Sequence, residues 1–172
     1  MRVLPILALI PLLIACSETE TGKNPEQAQS PSKAPVEKSA MAAPLVVYKS
    51  PTCGCCGAWV EHIENAGVST SVIEDADMNE VKNRFQLPVE ARSCHTAIYK
   101  DYFFEGHVPP ALVQTFINNP PENAKGLVVP GMPIGSAGME DGDKFQPYKV
   151  WVMLANGEFE EYASIDSYNQ QF

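Results

Sequence analysis

Three cysteines fall within four consecutive residues, Cys53-Gly54-Cys55-Cys56, and a fourth stands at Cys94 with His95 beside it. The thiolate, not the thiol, is both nucleophile and metal ligand, so the cluster opens two chemistries. In one, Cys53 and Cys56 form a Cys-x-x-Cys pair for thiol–disulfide exchange, one attacking and one resolving. In the other, Cys53, Cys55, Cys56 and Cys94 hold a metal. Cys55, lying between the pair, argues against simple exchange, because a third thiol invites scrambling unless metal occupies all three. Structural zinc takes cysteine pairs with at least two intervening residues, and adjacent Cys55 and Cys56 fit that poorly. Copper(I) is soft, favours thiolate and thioether sulfur, and accepts few ligands. Closely spaced thiolates can bridge more than one such ion, so copper as Cu(I) is the expected cargo. Cycling to copper(II) would make the chain a copper oxidoreductase.

Other soft donors lie close in sequence. His95 adjoins Cys94, and His107 follows a predicted strand pair. Met132 and Met139 occupy Pro130-Gly131-Met132-Pro133-Ile134-Gly135-Ser136-Ala137-Gly138-Met139, too rich in Gly and Pro for a regular helix and suited to a functional loop. The expected donor set is therefore Cys53, Cys55, Cys56, Cys94, His95, His107, Met132 and Met139. His62 falls inside a helix and reads as structural or solvent-facing. Glu105 either polarises the ring of His107, as carboxylates do behind metal-bound histidines, or is an exposed strand residue. Trp59, Phe85 and Trp151 are assigned to the core, and no hydrolase triad is evident.

These residues need elements to position them. Leu45-Val46-Val47-Tyr48 is a β-branched and aromatic run ended by Pro51, the first strand. The cysteine motif leads into a helix through Ala66, with Trp59 and Ile63 at helical spacing and Gly67 closing it. If the motif opens that helix, unpaired N–H groups and the helix dipole lower its thiol pKa values. A strand over 69–73 and a helix from about Asp77 to Phe85 follow. Thr96–Tyr99 and Tyr102–Glu105 flank the two-residue connection Lys100-Asp101, a hairpin. Pro109 or Pro110 starts a helix through Ile117. Residues 147–154 and 158–162 flank Asn156-Gly157, a second hairpin added to the sheet. The polar tail beyond Ile165 is expected to be loosely ordered.

The order βαβαββα, with cysteines at the first strand–helix junction, resembles the thioredoxin-like fold, here an α/β domain with an added C-terminal β-hairpin. In that fold the position of Cys94, just before the third strand, faces the cysteine motif. Along nearly all of 45–172 the sequence also resembles a family long catalogued as a domain of unknown function, which includes the CopG-type periplasmic copper-resistance proteins. The likeness is carried by Tyr48–Cys56, Arg92-Ser93-Cys94-His95-Thr96, Glu105-Gly106-His107-Val108-Pro109 and Val129–Ser136. What the resemblance implies is a thioredoxin-like domain serving copper tolerance outside the cytoplasm.

The N-terminus agrees with export. Met1-Arg2 precedes a twelve-residue apolar run, Val3–Ile14; a secretory leader needs about 7–15 apolar residues and a membrane span about 20. Leu13-Ile14-Ala15-Cys16 resembles a bacterial lipobox, which implies that residues 1–15 are removed and Cys16 is acylated. Non-acidic Ser17 resembles the signal that sorts such lipoproteins to the outer membrane of Gram-negative bacteria. An iron–sulfur centre, another use for four cysteines, would then have to be acquired outside the cytoplasm. Residues 16–44 read as a disordered tether, poor in apolar residues and holding four prolines; as a flexible coil its reach would be about 30 Å. Residues 45–172 suffice for one hydrophobic core. In them eight Lys and Arg stand against seventeen Asp and Glu, a net of −9 without a basic stripe, which disfavours nucleic acid. The expected partners are copper ions and periplasmic copper transporters or chaperones, with membrane contact through the lipid anchor alone.

Overall fold

Alternation of side chains across a strand gives Leu45–Tyr48 (β1) its inward face, Leu45 and Val47, both fully buried. In the computed structural model, residues 43–74 and 77–172 are described; the leader, Cys16 and the tether up to residue 42 lie outside the described residues. After β1 comes the helix Gly54–Asn65 (α1), which buries Cys56, Trp59, Val60 and Ile63 at three- and four-residue spacing. Thr70–Ile73 (β2) pairs with β1 in parallel. Asp77 caps the helix Met78–Arg84 (α2) by accepting from the N–H groups of Asn79 and Glu80, at 2.9 and 3.2 Å.

Thr96–Tyr99 (β3) and Tyr102–Glu105 (β4) form the expected hairpin, with Lys100 in the left-handed region at φ 55°. Pro109 caps and Pro110 opens the helix Pro110–Asn118 (α3), where a missing N–H costs nothing. The sequence expectations for these elements hold to within a residue or two.

One strand was not foreseen. Ala124–Val128 (β5) runs parallel to β4 and joins it to the hairpin Tyr148–Leu154 (β6) and Phe159–Ile165 (β7). Its Ala-Lys-Gly start lacks the β-branched signature. Gly126 is required there, because a Cβ would stand 2.1 Å from the Phe103 carbonyl oxygen. The sheet is seven-stranded in the order β2-β1-β3-β4-β5-β6-β7.

The larger core packs α1 and α3 on one sheet face through Trp59, Ile63, Val113, Phe116, Phe104 and Leu127. On the other face a smaller cluster gathers Leu87, Ala91, Phe103, Val128 and Met153. The C-terminal tail departs from expectation. Residues Tyr168–Gln171 form a 3-10 turn capped by Ser167, and Gln171 is fully buried. The tail is ordered because that single amide finds four hydrogen-bond partners inside the fold.

Candidate metal centre

The chain leaves β1 through Lys49–Thr52 and turns into α1 at Cys53, whose extended backbone makes it the N-cap. Cys55 and Cys56 therefore ride on the first helical turn. Cys56 points into the core, while Cys53 and Cys55 are half-buried. Cys94 approaches from the segment before β3. The four Sγ atoms lie within 4.8 Å of one another. Cys53 and Cys56 are joined as a disulfide, with Cα atoms 5.3 Å apart, while Cys55 and Cys94 are free. The Cys55 sulfur is 3.5 Å from that of Cys53.

Cys94 also belongs to a second donor set with His95 and His107, whose ligand atoms again all fall within 4.8 Å. Its sulfur is 3.3 Å from His95 Nδ1 and 3.2 Å from His107 Nε2. His107 donates from Nδ1 to the Ala137 carbonyl at 2.8 Å, which leaves Nε2 with its lone pair towards Cys94. His95 Nε2 is buried without a hydrogen-bond partner among the described residues. Trp59 packs its ring 4.5 Å from that of His95 and is held by a bond from Nε1 to the Val108 carbonyl at 2.9 Å.

Burial sets the protonation states. It lowers His95 well below the usual histidine range, assisted by His107 and Lys82, and it lowers His107 against the opposing bond to Ala137 and the charge of Glu140. Neutral imidazole is the metal-binding form. The Cys94 thiol is pushed up to about 11, first by burial and then by Cys55. Cys94 lies off the helix terminus expected to acidify the motif thiols, so a metal ion must displace its proton.

Glu105 corrects both sequence alternatives. It is fully buried, not exposed, and the His107 ring nitrogens bond to Ala137 and Cys94 rather than to its carboxylate. Its Oε1 accepts from Lys82 Nζ at 2.5 Å and from the Ser93 N–H at 2.6 Å, and its Oε2 accepts from the Thr96 hydroxyl at 2.6 Å. Lys82 Nζ also reaches the Thr96 hydroxyl, at 3.0 Å. The carboxylate thus holds the Ser93 backbone on one side of Cys94 and His95 and the Thr96 side chain on the other. Burial raises its pKa against the lowering effect of Lys82 and of these hydrogen bonds. Lys82 escaped sequence reading because a lysine on a short helix ordinarily faces water.

The methionines separate. Met139 is half-buried and, with Cys55, Ala58 and Ile134, lines a groove of about 480 Å³ beside the start of α1. Met132 is 53 % exposed on the outer side of the same loop. Gly138 brings that loop against the helix: its φ is +86°, and a Cβ would lie 2.6 Å from both the Cys55 carbonyl oxygen and the Trp59 nitrogen. His62 has the structural surroundings expected of it, with Nε2 2.7 Å from Glu140 and its ring centroid 5.0 Å from that of Phe172, the rings tilted by 42°. Trp59 is in the core as expected, and Phe85 and Trp151 pack half-buried against the smaller cluster.

Fold and site together define an α/β protein with four sulfurs gathered at a strand–helix junction, two of them joined in a disulfide, and two buried histidines beside them. Two solved structures match it. One, described as copper resistance protein CopG, form 1, has 36 % sequence identity and a TM-score of 0.66, over 70 % of this chain and 95 % of that one. The other, described as form 2, has 37 % identity and a TM-score of 0.67, over 72 % and 99 %. Residues 91–139 match a family described as a protein of unknown function, DUF411. No curated protein matches the chain. The chain belongs to the CopG family of copper resistance proteins.

Proposed function

We propose that this chain is an extracytoplasmic copper-binding protein that holds copper(I) in a thiolate cluster and so contributes to copper tolerance. The observation carrying the proposal is the convergence of four sulfurs within 4.8 Å, from two separate segments, with two neutral imidazoles on the shared Cys94. Soft sulfur selects copper(I), and imidazole accepts either oxidation state. Cys53, Cys55, Cys56 and Cys94 are the bridging ligands, joined by His95 and His107. Met139, in the Cys55 groove, and Met132, further out, receive the ion on its way in. The copper resistance proteins among its relatives support the choice of metal. Cys16, once acylated, anchors the chain to the periplasmic face of the outer membrane, and periplasmic copper transporters or chaperones exchange copper with it.

Redox cycling belongs to the same proposal. The Cys53–Cys56 disulfide is the oxidised form of two cluster ligands. Two copper(II) ions reduced by these two thiols give two copper(I) ions, one disulfide and two protons; the step removes two of the four thiolates, so the disulfide must be reduced by an external thiol before the full cluster holds copper(I) again.

That disulfide also favours a second reading, a thiol–disulfide oxidoreductase in which half-buried Cys53 is the attacked sulfur and buried Cys56 the leaving one. Anaerobic titration of the reduced protein with copper(I) against a competing chelator, repeated with Cys55→Ser, separates the two. Tight binding of at least one equivalent, sharply weakened by the substitution, is expected. Absence of competitive binding, with disulfide-reductase activity that survives Cys55→Ser, would establish the exchange protein instead.

A further inference from the structure

We infer that Gln171, the last residue of the turn Tyr168–Gln171 and remote in sequence from every cysteine, is a positioning residue for the metal centre through His107. The inference rests on the reading of His107 as a copper ligand. A primary amide offers two donors and a carbonyl oxygen with two lone pairs, and buried Gln171 uses them all. Its Nε2 donates to the carbonyls of Gly135 and Tyr168 at 2.9 and 3.2 Å. Its Oε1 accepts from the Ala137 N–H at 2.7 Å and from the Tyr148 hydroxyl at 2.8 Å.

Ala137 is the link. Its N–H points to Gln171 and its carbonyl takes the Nδ1 proton of His107, so orienting this one residue orients the imidazole. The surrounding turn closes on itself through Gly135 N–H to the Met139 carbonyl at 2.8 Å and Met139 N–H to the Ser136 carbonyl at 2.7 Å. Those bonds give the turn its shape, while Gly138 against α1 and the Gln146 N–H on the Ile134 carbonyl at 2.9 Å hold its two ends. Gly135 and Gly138, both at positive φ, flank it and supply no side chain to anchor it. Gln171 supplies the side-chain anchor at the middle of the turn, tying Ala137 to Tyr148 on β6. The consequence at the metal centre is a single tautomer, with the Nε2 lone pair 3.2 Å from the Cys94 sulfur. Without the Ala137 acceptor the proton is free to occupy Nε2, where it faces the sulfur and blocks coordination.

The test uses the reduced, metal-free protein with ¹⁵N-labelled histidine. Long-range proton–nitrogen NMR couplings read the His107 tautomer directly, and competition titration reads copper(I) affinity. Wild type is expected to show the Nδ1–H form alone. Gln171→Leu is expected to show both tautomers and a copper(I) affinity lowered about 10-fold or more, the usual effect of losing the partner behind a ligating histidine. His62→Ala loosens the same loop at Glu140 without touching Gln171 or Ala137 and is expected to keep the Nδ1–H form alone, which distinguishes positioning from general loosening. An unchanged tautomer in Gln171→Leu, or the same mixture in His62→Ala, overturns the positioning role. His107→Ala binding copper(I) as tightly as wild type overturns instead the ligand reading beneath it.

Discussion

Cys94 is the residue on which both donor sets converge. Its sulfur belongs to the four-thiol group and to the group with His95 and His107. Cys55 belongs only to the first, so the two cysteines are predicted to differ when replaced. Cys94→Ser should lower copper(I) affinity beyond the ~10–100-fold typical of losing an outer-sphere partner, and by more than Cys55→Ser does in the same chelator competition. Equal losses would mean that the histidines contribute nothing to binding. The cysteines were legible in sequence because sulfur spacing is itself the chemical signal. Glu105 was not: a carboxylate two residues from a histidine carries no mark of whether it faces that ring, water or a lysine. Its true partners, Lys82, Ser93 and Thr96, come from α2 and the start of β3 and meet only in the folded chain.

At the level of elements, the site is made by close approaches that the sequence marks only as glycines. Gly106, at φ +73°, would place a Cβ 2.5 Å from the Val129 carbonyl oxygen and 2.6 Å from the Ser93 side chain, so β4 can turn towards His107 only without one. Gly138 does the same where the methionine loop meets α1. Gly138→Ala is predicted to cost roughly 1 kcal/mol or more in chemical denaturation, since the backbone there is left-handed and the obstructing atoms are main chain. The Lys82–Glu105 pair ties α2 to β4 in a buried setting, with side chains 6 % and 0 % exposed. Glu105→Gln is predicted to destabilise the fold by about 3–5 kcal/mol, the cost of leaving one buried charge without its partner. A loss within 0.5 kcal/mol would show that the ammonium finds water or another acceptor. Such a pair escapes periodicity analysis, which assigns charged residues on α2 to the solvent face. β5 escaped it as well, because a strand beginning Ala-Lys-Gly is specified by its neighbours β4 and β6 rather than by its own residues.

Across the whole molecule, the candidate donors come from segments far apart in the chain: the start of α1, the approach to β3, the link from β4 to α3, and the loop before β6. A metal held by several of them is a cross-link between elements that otherwise associate through the core and the sheet. Ligand that binds only the folded state stabilises it by about 2.7 kcal/mol when free ligand reaches 100 times Kd, and by ~4.1 kcal/mol at 1,000 times. Reduced wild-type protein in copper(I)-buffered solution is therefore predicted to unfold at higher denaturant concentration than the metal-free form, with the shift growing as the logarithm of free copper. Cysteines in an unfolded chain also bind copper, which subtracts from the shift, so its size measures how much the folded geometry adds to the thiols alone. Cys94→Ser, which keeps all three motif cysteines on one segment, is predicted to lose most of the shift, because Cys94 is the donor shared by both sets and only the imidazoles then join α1 to the approach to β3. A variant that kept the full shift would show that Cys94 is not the donor through which copper joins the two segments, against the shared-donor reading.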